Sequence, residues 1–137
     1  MQVQPYLSFD GHADEAIEFY KGAVGAKVNM LMRFKDSPEP PPSGQFPPEM
    51  MNKVLHASLT IGESIVLLSD GRCMGKMNFH GICLTLLVSS EAEAEKMFGA
   101  LSNGGNVTMP LAKTFFSPRF GMLDDRFGVS WMVYVES

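Results

Sequence analysis

An internal repeat restricts this chain to folds built from two similar halves. Apolar positions recur at one constant offset, so that Ala16, Phe19, Tyr20 and Ala23 correspond to Ala94, Met97, Phe98 and Leu101. The segments that follow, 25–28 and 104–107, align one residue further on. One such unit would bury its sheet poorly alone, so we expect the two halves to pair across a pseudo-twofold axis.

Each half is predicted to contain a strand, a helix and three further strands. Periodicity in the first half predicts a helix over Ala13–Val24, with strands at Val3–Phe9, Lys27–Phe34, Val54–Ile61 and Ser64–Ser69. In the second half a capping-box pattern at Ser90–Glu93 opens the helix. The strands there are predicted at Gly81–Val88, Val107–Leu111 (interrupted by Pro110), Arg119–Asp124 and the closing segment that ends at Glu136.

The closing strand has one fully apolar face and one mixed face. Trp131, Val133 and Val135 point one way, whereas Met132 and Tyr134 point the other. The apolar face, with Trp131, is expected to pack beneath the second helix. We predict that the mixed face lines a cavity, together with similar positions on other strands, namely Gln4, Tyr6, Ser8, His56, Ser58, Thr60, Ser69, Cys83 and Thr85.

Several motifs carry a resemblance to a known family. They are Tyr6–Gly11 (YLSFDG), Ala16–Tyr20 (AIEFY), Gln45-Phe-Pro, His56-Ala, Leu68-Ser-Asp70 and Asp125–Trp131 (DRFGVSW). With the duplicated βαβββ pattern, they resemble the glyoxalase or vicinal oxygen chelate (VOC) superfamily, and within it the PhnB-like, demethylubiquinone methyltransferase-like subgroup. The resemblance implies an α+β fold in which two tandem βαβββ modules form a curved mixed sheet around a cleft.

The resemblance covers the whole chain as a single domain, 1–137. It divides into module 1 at about 1–70, a linker at 71–80 and module 2 at about 81–137. The methyltransferase label implies little about chemistry, because no glycine-rich phosphate or nucleotide loop follows a strand and nothing resembles a methyl-donor site.

The resemblance also implies a divalent metal, held by the first and fourth strands of each module. Those positions fall near Gln4, Leu67, Cys83 and Met132. Leu67 cannot ligate, and Cys83 and Met132 are soft donors where the family has histidine and a carboxylate, whereas magnesium or manganese requires oxygen donors. We therefore predict no catalytic metal and no other cofactor. A Cys/Met pair suits copper(I), but apolar packing is the simpler interpretation.

His56 and Tyr6 are the candidate acid/base residues, because histidine titrates near neutrality. A structural role for His56 is the alternative. The other candidates for the ligand-binding cleft are Gln4, Ser8, Ser58, Ser69, Cys83, Thr85, Arg119, Met132 and Tyr134. Arg119 could clamp a carboxylate or phosphate, or lie on the surface. The proline-rich segment 35–53 is predicted to form a lid or cleft wall, with an inert connector as the alternative.

Composition limits the partners. A net charge of −4 without a basic stripe argues against nucleic acid. Two cysteines are too few for a disulfide framework and favour a reducing compartment. The sequence shows neither a signal peptide nor an apolar run that could span a membrane, so we expect no membrane partner and a soluble, cytoplasmic protein.

Three functions agree with these observations, with a small-molecule ligand in the first two. The chain could be a metal-independent enzyme for a small polar or aromatic metabolite, or a protein that sequesters a small molecule, as antibiotic-binding members of the superfamily do. It could also be a structural or regulatory dimer with a vestigial cleft. The superfamily's metal-dependent lyase, isomerase or dioxygenase chemistry is a further alternative, and a homodimer is expected in each case.

Overall fold

The computed structural model describes residues 1–39, 47–71 and 76–136. The chain divides into two compact units, Met1–Met77 and Asn78–Ser137. Each unit has one α-helix and one four-stranded sheet with parallel and antiparallel pairs, which confirms the predicted α+β fold of two tandem βαβββ modules. Two parts of the sequence prediction lie outside the described residues. One is 40–46, with the prolines at 40–42 and the first two residues of the Gln45-Phe-Pro motif. The other is 72–75 of the linker, with Cys73.

The first unit contains β1 (Tyr6–Ser8), α1 (Ala13–Val24), β2 (Lys27–Arg33), β3 (Val54–Ile61) and β4 (Ser64–Ser69). Its strand order is β1-β4-β3-β2, and only the β1–β4 pair is parallel. Helix α1 ends at Gly25, whose φ of 67° is the left-handed conformation that glycine adopts without steric cost. Two short 3₁₀ turns follow β2, Phe34–Asp36 at the start of the proline-rich segment and Pro48–Met50 within it.

The second unit repeats this layout with β5 (Cys83–Val88), α2 (Glu91–Ser102), β6 (Asn106–Ala112), β7 (Phe120–Asp124) and β8 (Ser130–Val135). The strand order is β5-β8-β7-β6, with β5 and β8 parallel. Ser90 caps α2, because its Oγ accepts from the Glu93 N–H at 3.1 Å. The Glu93 carboxylate accepts from Ser89 N–H rather than from Ser90, so the predicted capping box forms only in part.

Each helix covers one face of the sheet in its own unit. The buried face of the first sheet includes Leu7, Ala57, Leu59, Val66 and Leu68, and that of the second includes Leu123, Trp131, Val133 and Val135. The predicted burial of alternate residues in β8, Trp131 among them, is therefore confirmed. Burial of each large aliphatic side chain contributes about 1.5–3 kcal/mol, so these faces supply much of the stability.

The opposite face of each sheet carries the remaining side chains, and we call these open face 1 and open face 2. Open face 1 comprises Tyr6, Ser8, Asn29, Met30, Met32, His56, Ser58, Thr60, Ile65 and Leu67. Open face 2 comprises Cys83, Thr85, Leu87, Asn106, Met109, Phe120, Met122, Asp124, Ser130, Met132 and Tyr134.

The edge strands β2 and β6 share an irregularity. Pairing shifts between Val28 and Met30 in β2, and between Val107 and Met109 in β6, at equivalent points of the repeat. Strand β6 also continues through Pro110, which the sequence predicted to interrupt it. An edge strand tolerates proline because the missing N–H weakens only its one ladder, and the pairing is irregular between Met109 and Ala112.

A buried carboxylate fixes the connections in the first unit. Asp70 is fully buried, and its Oδ1 accepts from Gly11 N–H at 2.9 Å and from Ala13 N–H at 2.8 Å. Its Oδ2 accepts from Val54 N–H at 2.7 Å. One side chain therefore joins the end of β4 to the start of α1 and the start of β3, which accounts for Asp70 in the Leu68-Ser-Asp70 motif. Within the described ranges, neither α-helix has the length and apolar character needed to cross a bilayer.

Candidate functional site

Open face 1 brings the two predicted acid/base residues together. The Nδ1 atom of His56 lies 3.4 Å from the Tyr6 hydroxyl, and the ring centroids are 5.7 Å apart. Tyr6 is on β1 and His56 is on β3, so the contact passes over β4. Tyr6 is half exposed, at 51%, so a ligand can reach the pair. A 3.4 Å separation is long for a hydrogen bond, but acid/base contacts of ligand-free sites often tighten on binding.

Polar groups continue along the same face. The Asn29 amide donates to Thr60 Oγ1 at 2.8 Å and lies 3.4 Å from Ser58 Oγ, while the Thr60 hydroxyl donates to Asn29 Oδ1 at 3.0 Å. Asn29 occupies the irregularity in β2, which aims its side chain at β3. Sequence patterning identified Ser58 but missed Asn29, because a strand without clean alternation gives no face assignment.

Two predicted cleft residues of the first unit take other positions. Ser69 is buried, at 3% exposure, and its Oγ accepts from Gly71 N–H at 3.1 Å. Gln4 precedes β1, and its side-chain amide donates to Gln2 at 3.0 Å. We therefore leave both out of the candidate site, whereas Ser8 stays exposed on open face 1.

Open face 2 has a different chemistry. Met132 pairs with Thr85 on one side and with Met122 on the other, and Met122 pairs with Met109, so three thioethers lie in one row. Tyr134 pairs with Phe120, and their ring centroids are 6.2 Å apart. The sequence identified Thr85, Met132 and Tyr134. It did not identify Met122 and Phe120, because the short strand β7 gave too few residues to fix their face.

The third row of open face 2 is polar. Cys83 pairs with Ser130, which pairs with Asp124, and the Ser130 hydroxyl donates to Asp124 Oδ1 at 2.6 Å. Burial raises the pKa of the Cys83 thiol and the Asp124 charge raises it further, whereas a hydrogen bond from the backbone of Met132 lowers it. The thiol is therefore a poor nucleophile at neutral pH. Its side chain is exposed, so the apolar packing expected for Cys83 from the sequence is wrong.

Arg119 does not join the residues of open face 2. Its Nε lies 3.5 Å from a carboxylate oxygen of Glu91 and 3.5 Å from one of Glu95, both on α2. The adjacent residue Phe120 is on open face 2, so Arg119 points to the helix side. Its guanidinium already has anionic partners, and we exclude it from the candidate site.

The residues at the metal positions that the resemblance implies do not fit a hard divalent cation. In the first unit these positions hold Gln4, which is outside β1, and Leu67, a hydrocarbon. In the second unit they hold Cys83 and Met132, which are sulfur donors. Over 1–39, 47–71 and 76–136, no three His, Cys, Asp or Glu side chains cluster closely enough to hold a metal ion.

Comparison with known proteins identifies relatives along the whole chain. A profile of the family described as 3-demethylubiquinone-9 3-methyltransferase matches residues 1–134. Protein YjdN of Escherichia coli (strain K12) is 34% identical over 143 residues, which span 98% of this chain and 95% of YjdN.

Solved structures of similar proteins also match this chain over nearly its whole length. Protein PA1353 from Pseudomonas aeruginosa is 39% identical with a TM-score of 0.84, over 99% of this chain and 98% of PA1353. The PhnB protein from Bacillus cereus is 25% identical with a TM-score of 0.78, over 98% and 99% of the two chains. A glyoxalase-related enzyme from Fulvimarina pelagi shares the fold alone, at 14% identity and a TM-score of 0.60, over 99% and 88%.

Proposed function

This chain belongs to the 3-demethylubiquinone-9 3-methyltransferase family, the PhnB-like group with the glyoxalase (VOC) fold, and on that premise we propose that it binds a small molecule on its open sheet faces, without a catalytic divalent metal. The Tyr6–His56 pair would act as its acid/base group. Methyl transfer is not part of the proposal, because the sequence has no glycine-rich loop after a strand.

The contact between Tyr6 and His56 carries this proposal. Two groups that can exchange protons lie 3.4 Å apart on a solvent-accessible face, with the hydroxyl of Ser58 on the same strand as His56. Small-molecule sites combine an apolar lining with a few orienting polar groups. Here Met30, Met32 and Leu67 supply apolar surface around that pair. A histidine with a phenolic partner can accept a proton from a ligand and return it to another atom.

A thermal-shift screen of metabolites and divalent metals tests binding. We expect at least one metabolite, and no metal, to raise the melting temperature, because a ligand that binds only the native state stabilises it. Purified protein containing stoichiometric nickel, zinc or manganese would contradict the metal-independent part and favour the superfamily's lyase, isomerase or dioxygenase chemistry.

Variants then test the acid/base role. With an active ligand, His56→Ala should lower turnover by about 10²–10⁴-fold while affinity changes little. Tyr6→Phe keeps the ring and removes only the hydroxyl, so it tests the contribution of the phenolic proton separately from that of the ring. His12→Ala is the matched control, because His12 is an exposed histidine at the start of α1 that pairs with Glu15. Unchanged turnover in His56→Ala would remove the pair from the mechanism.

Sequestration without turnover is the second candidate, favoured by open face 2. The rows of that face at Met132 and Tyr134 hold thioethers and aromatic rings, and the pKa of its thiol is raised, so these rows offer binding surface rather than an acid/base group. Under this function a stabilising ligand would be recovered unchanged, and His56→Ala would leave stabilisation by that ligand in place. A screen in which nothing binds would favour a structural or regulatory protein.

The proposal includes a homodimer in the cytoplasm. The edge strands β2 and β6 expose large apolar side chains to water, which favours pairing with a second copy. These side chains are Val28, Met30, Leu31, Val107 and Met109. Light scattering on the purified protein tests this, and a mass of one chain at micromolar concentration would contradict it. The low cysteine content supports a reducing compartment such as the cytoplasm.

A further inference from the structure

Open face 2 is graded from aromatic to acidic along its strands. At one end Tyr134 pairs with Phe120, in the middle Met132 pairs with Met122, and at the other end Ser130 pairs with Asp124. Because alternate residues of β7 share a face and a strand rises about 3.4 Å per residue, the four steps from Phe120 to Asp124 span roughly 14 Å. A ligand lying along β7 would therefore meet rings, then thioethers, then a carboxylate.

The aromatic end extends beyond the sheet. Phe116 meets Phe120 edge to face at a centroid distance of 5.1 Å, and Phe115 meets Phe116 in the same way at 5.1 Å. Phe115 is fully exposed, at 100%, and Phe116 is 42% exposed. A chain of four rings thus runs from Tyr134 outward to solvent. Edge-to-face and offset contacts with such rings favour a flat aromatic ligand.

Hydrogen bonds fix the conformation of the loop that carries Phe115 and Phe116. Thr114 N–H donates to the Ser117 carbonyl at 2.9 Å, and Ser117 N–H donates to Thr114 Oγ1 at 3.1 Å. The buried Ser117 hydroxyl lies 2.7 Å from the carbonyl oxygens of both Arg119 and Val135. The exposed rings are therefore presented by a fixed turn, which lowers the entropic cost of binding a ligand against them.

In the part of the chain that the structure describes, the acidic end has no cationic side chain beside it. Asp124 Oδ1 accepts from the Ser130 hydroxyl, and no Lys, Arg or His within the described ranges lies within 4.0 Å of its oxygens. Arg119, the arginine at the start of β7, pairs with Glu91 and Glu95 instead. A carboxylate without a cationic partner, beside a polarizable apolar row, attracts a positively charged ligand group and repels an anionic one.

We propose that open face 2 binds an elongated aromatic amine, with its flat ring against Phe120 and Phe116 and its protonated amine at Asp124. This inference rests on the proposed small-molecule function and names the ligand class of the second unit. The spacer between ring and amine lies over Met122 and Met132, whose thioethers adapt to an alkyl chain.

Two fluorescent probes of similar length and opposite charge test the ligand class. Dansylcadaverine carries a naphthalene ring and a terminal amine on a five-carbon chain, and N-dansyl-6-aminohexanoate carries the same ring and a terminal carboxylate. In titrations at neutral pH and low salt we expect the amine to bind at least about tenfold more tightly, because Asp124 attracts one head group and repels the other.

Variants assign the preference to named side chains. Asp124→Asn should abolish the preference for the amine, while its amide oxygen can still accept from Ser130. Glu63→Gln removes the same charge from an exposed turn of the first unit and should leave the preference unchanged. Phe115→Ser changes a fully exposed residue, so it does not threaten folding. It removes the ring that contacts Phe116 edge to face, and it should weaken both probes about three- to tenfold.

Equal affinity for the two probes, tighter binding of the carboxylate, or a preference that survives in Asp124→Asn would each overturn the inference. The absence of binding by either probe would also overturn it. The thermal-shift screen separates this result from failure of the proposed function, because a metabolite that stabilises the protein when neither probe binds leaves the proposed function standing. If no compound in the screen binds either, both proposals fail.

Discussion

Removing the Asp70 carboxylate is expected to destabilise the protein strongly, because three backbone N–H groups depend on it. The hydrogen bonds from the N–H groups of Ala13 and Val54 to Asp70 are buried, with donor–acceptor distances of 2.8 and 2.7 Å. The bond from the Gly11 N–H is partly buried. A buried donor left without a partner costs about 1–3 kcal/mol, and the Gly11 donor costs less because water can reach it. Asp70→Ala should therefore lower the free energy of unfolding by roughly 2–7 kcal/mol, a large part of the 5–15 kcal/mol typical of a domain.

Asp70→Asn separates hydrogen bonding from side-chain volume. Its amide oxygen can still accept from Gly11 and Ala13, but its NH₂ group would face the Val54 N–H, donor against donor. We expect a loss of about 1–3 kcal/mol, clearly smaller than in the alanine variant.

Urea unfolding monitored by far-ultraviolet circular dichroism measures both losses, with Glu63→Ala, on an exposed turn, as the control. Hydrogen exchange at the amides of Ala13 and Val54 supplies a local measurement, since both should exchange faster in the variants. A loss below about 1 kcal/mol in Asp70→Ala, or an equal loss in the two variants, would refute the assignment of these bonds as the source of stability.

Four further predictions concern the second unit. Gly105→Ala should lower the melting temperature in a calorimetric scan, because a Cβ atom there would overlap the Asp124 carbonyl oxygen, and an unchanged value would contradict this packing. Ser117→Ala should cost about 1–3 kcal/mol in urea unfolding, since it removes a buried hydroxyl that lies 2.7 Å from two backbone carbonyl oxygens. In a Cys73→Ser background at pH 8.5, Cys83 should react with iodoacetamide more slowly than in the unfolded chain, because its folded pKa is raised. Because the pKa of Cys83 is higher in the folded protein, the shift contributes stability below the pKa of the thiol in the unfolded chain. This contribution is lost as the pH rises through the pKa of the folded protein. Unfolding measurements in the same background should therefore show declining stability at alkaline pH.

Periodicity predicted most elements because apolar spacing records which face is buried. The predicted bounds of α1 and of strands β3 and β4 agree with the structure. β1 is shorter than predicted, Tyr6–Ser8 instead of Val3–Phe9, because only these residues pair with β4. Strict alternation along β3 places Leu55 on the packed face, but a shift in the pairing with β2 buries Val54 instead, and alternation within one strand cannot reveal such a shift.

The candidate site was predicted less completely, because it depends on which strands become neighbours. Patterning put Tyr6 and His56 on inward positions of their strands, but their contact follows from the pairing of β1 with β4, which has no local signal. Arg119 illustrates the reverse case. Its position before a strand suggested an anion clamp, whereas its partners are glutamates on α2, a tertiary contact that spacing does not encode.

The matching pairing shifts of β2 and β6 bear on the history of the chain. An extra residue at the same point of both edge strands, between Val28 and Met30 and between Val107 and Met109, is most simply inherited from one ancestral half that already contained it. On that account, duplication copied a backbone that already contained the shift, and later divergence acted on side chains. The first copy came to carry imidazole, hydroxyl and amide groups on its exposed sheet surface, and the second came to carry sulfur and aromatic groups.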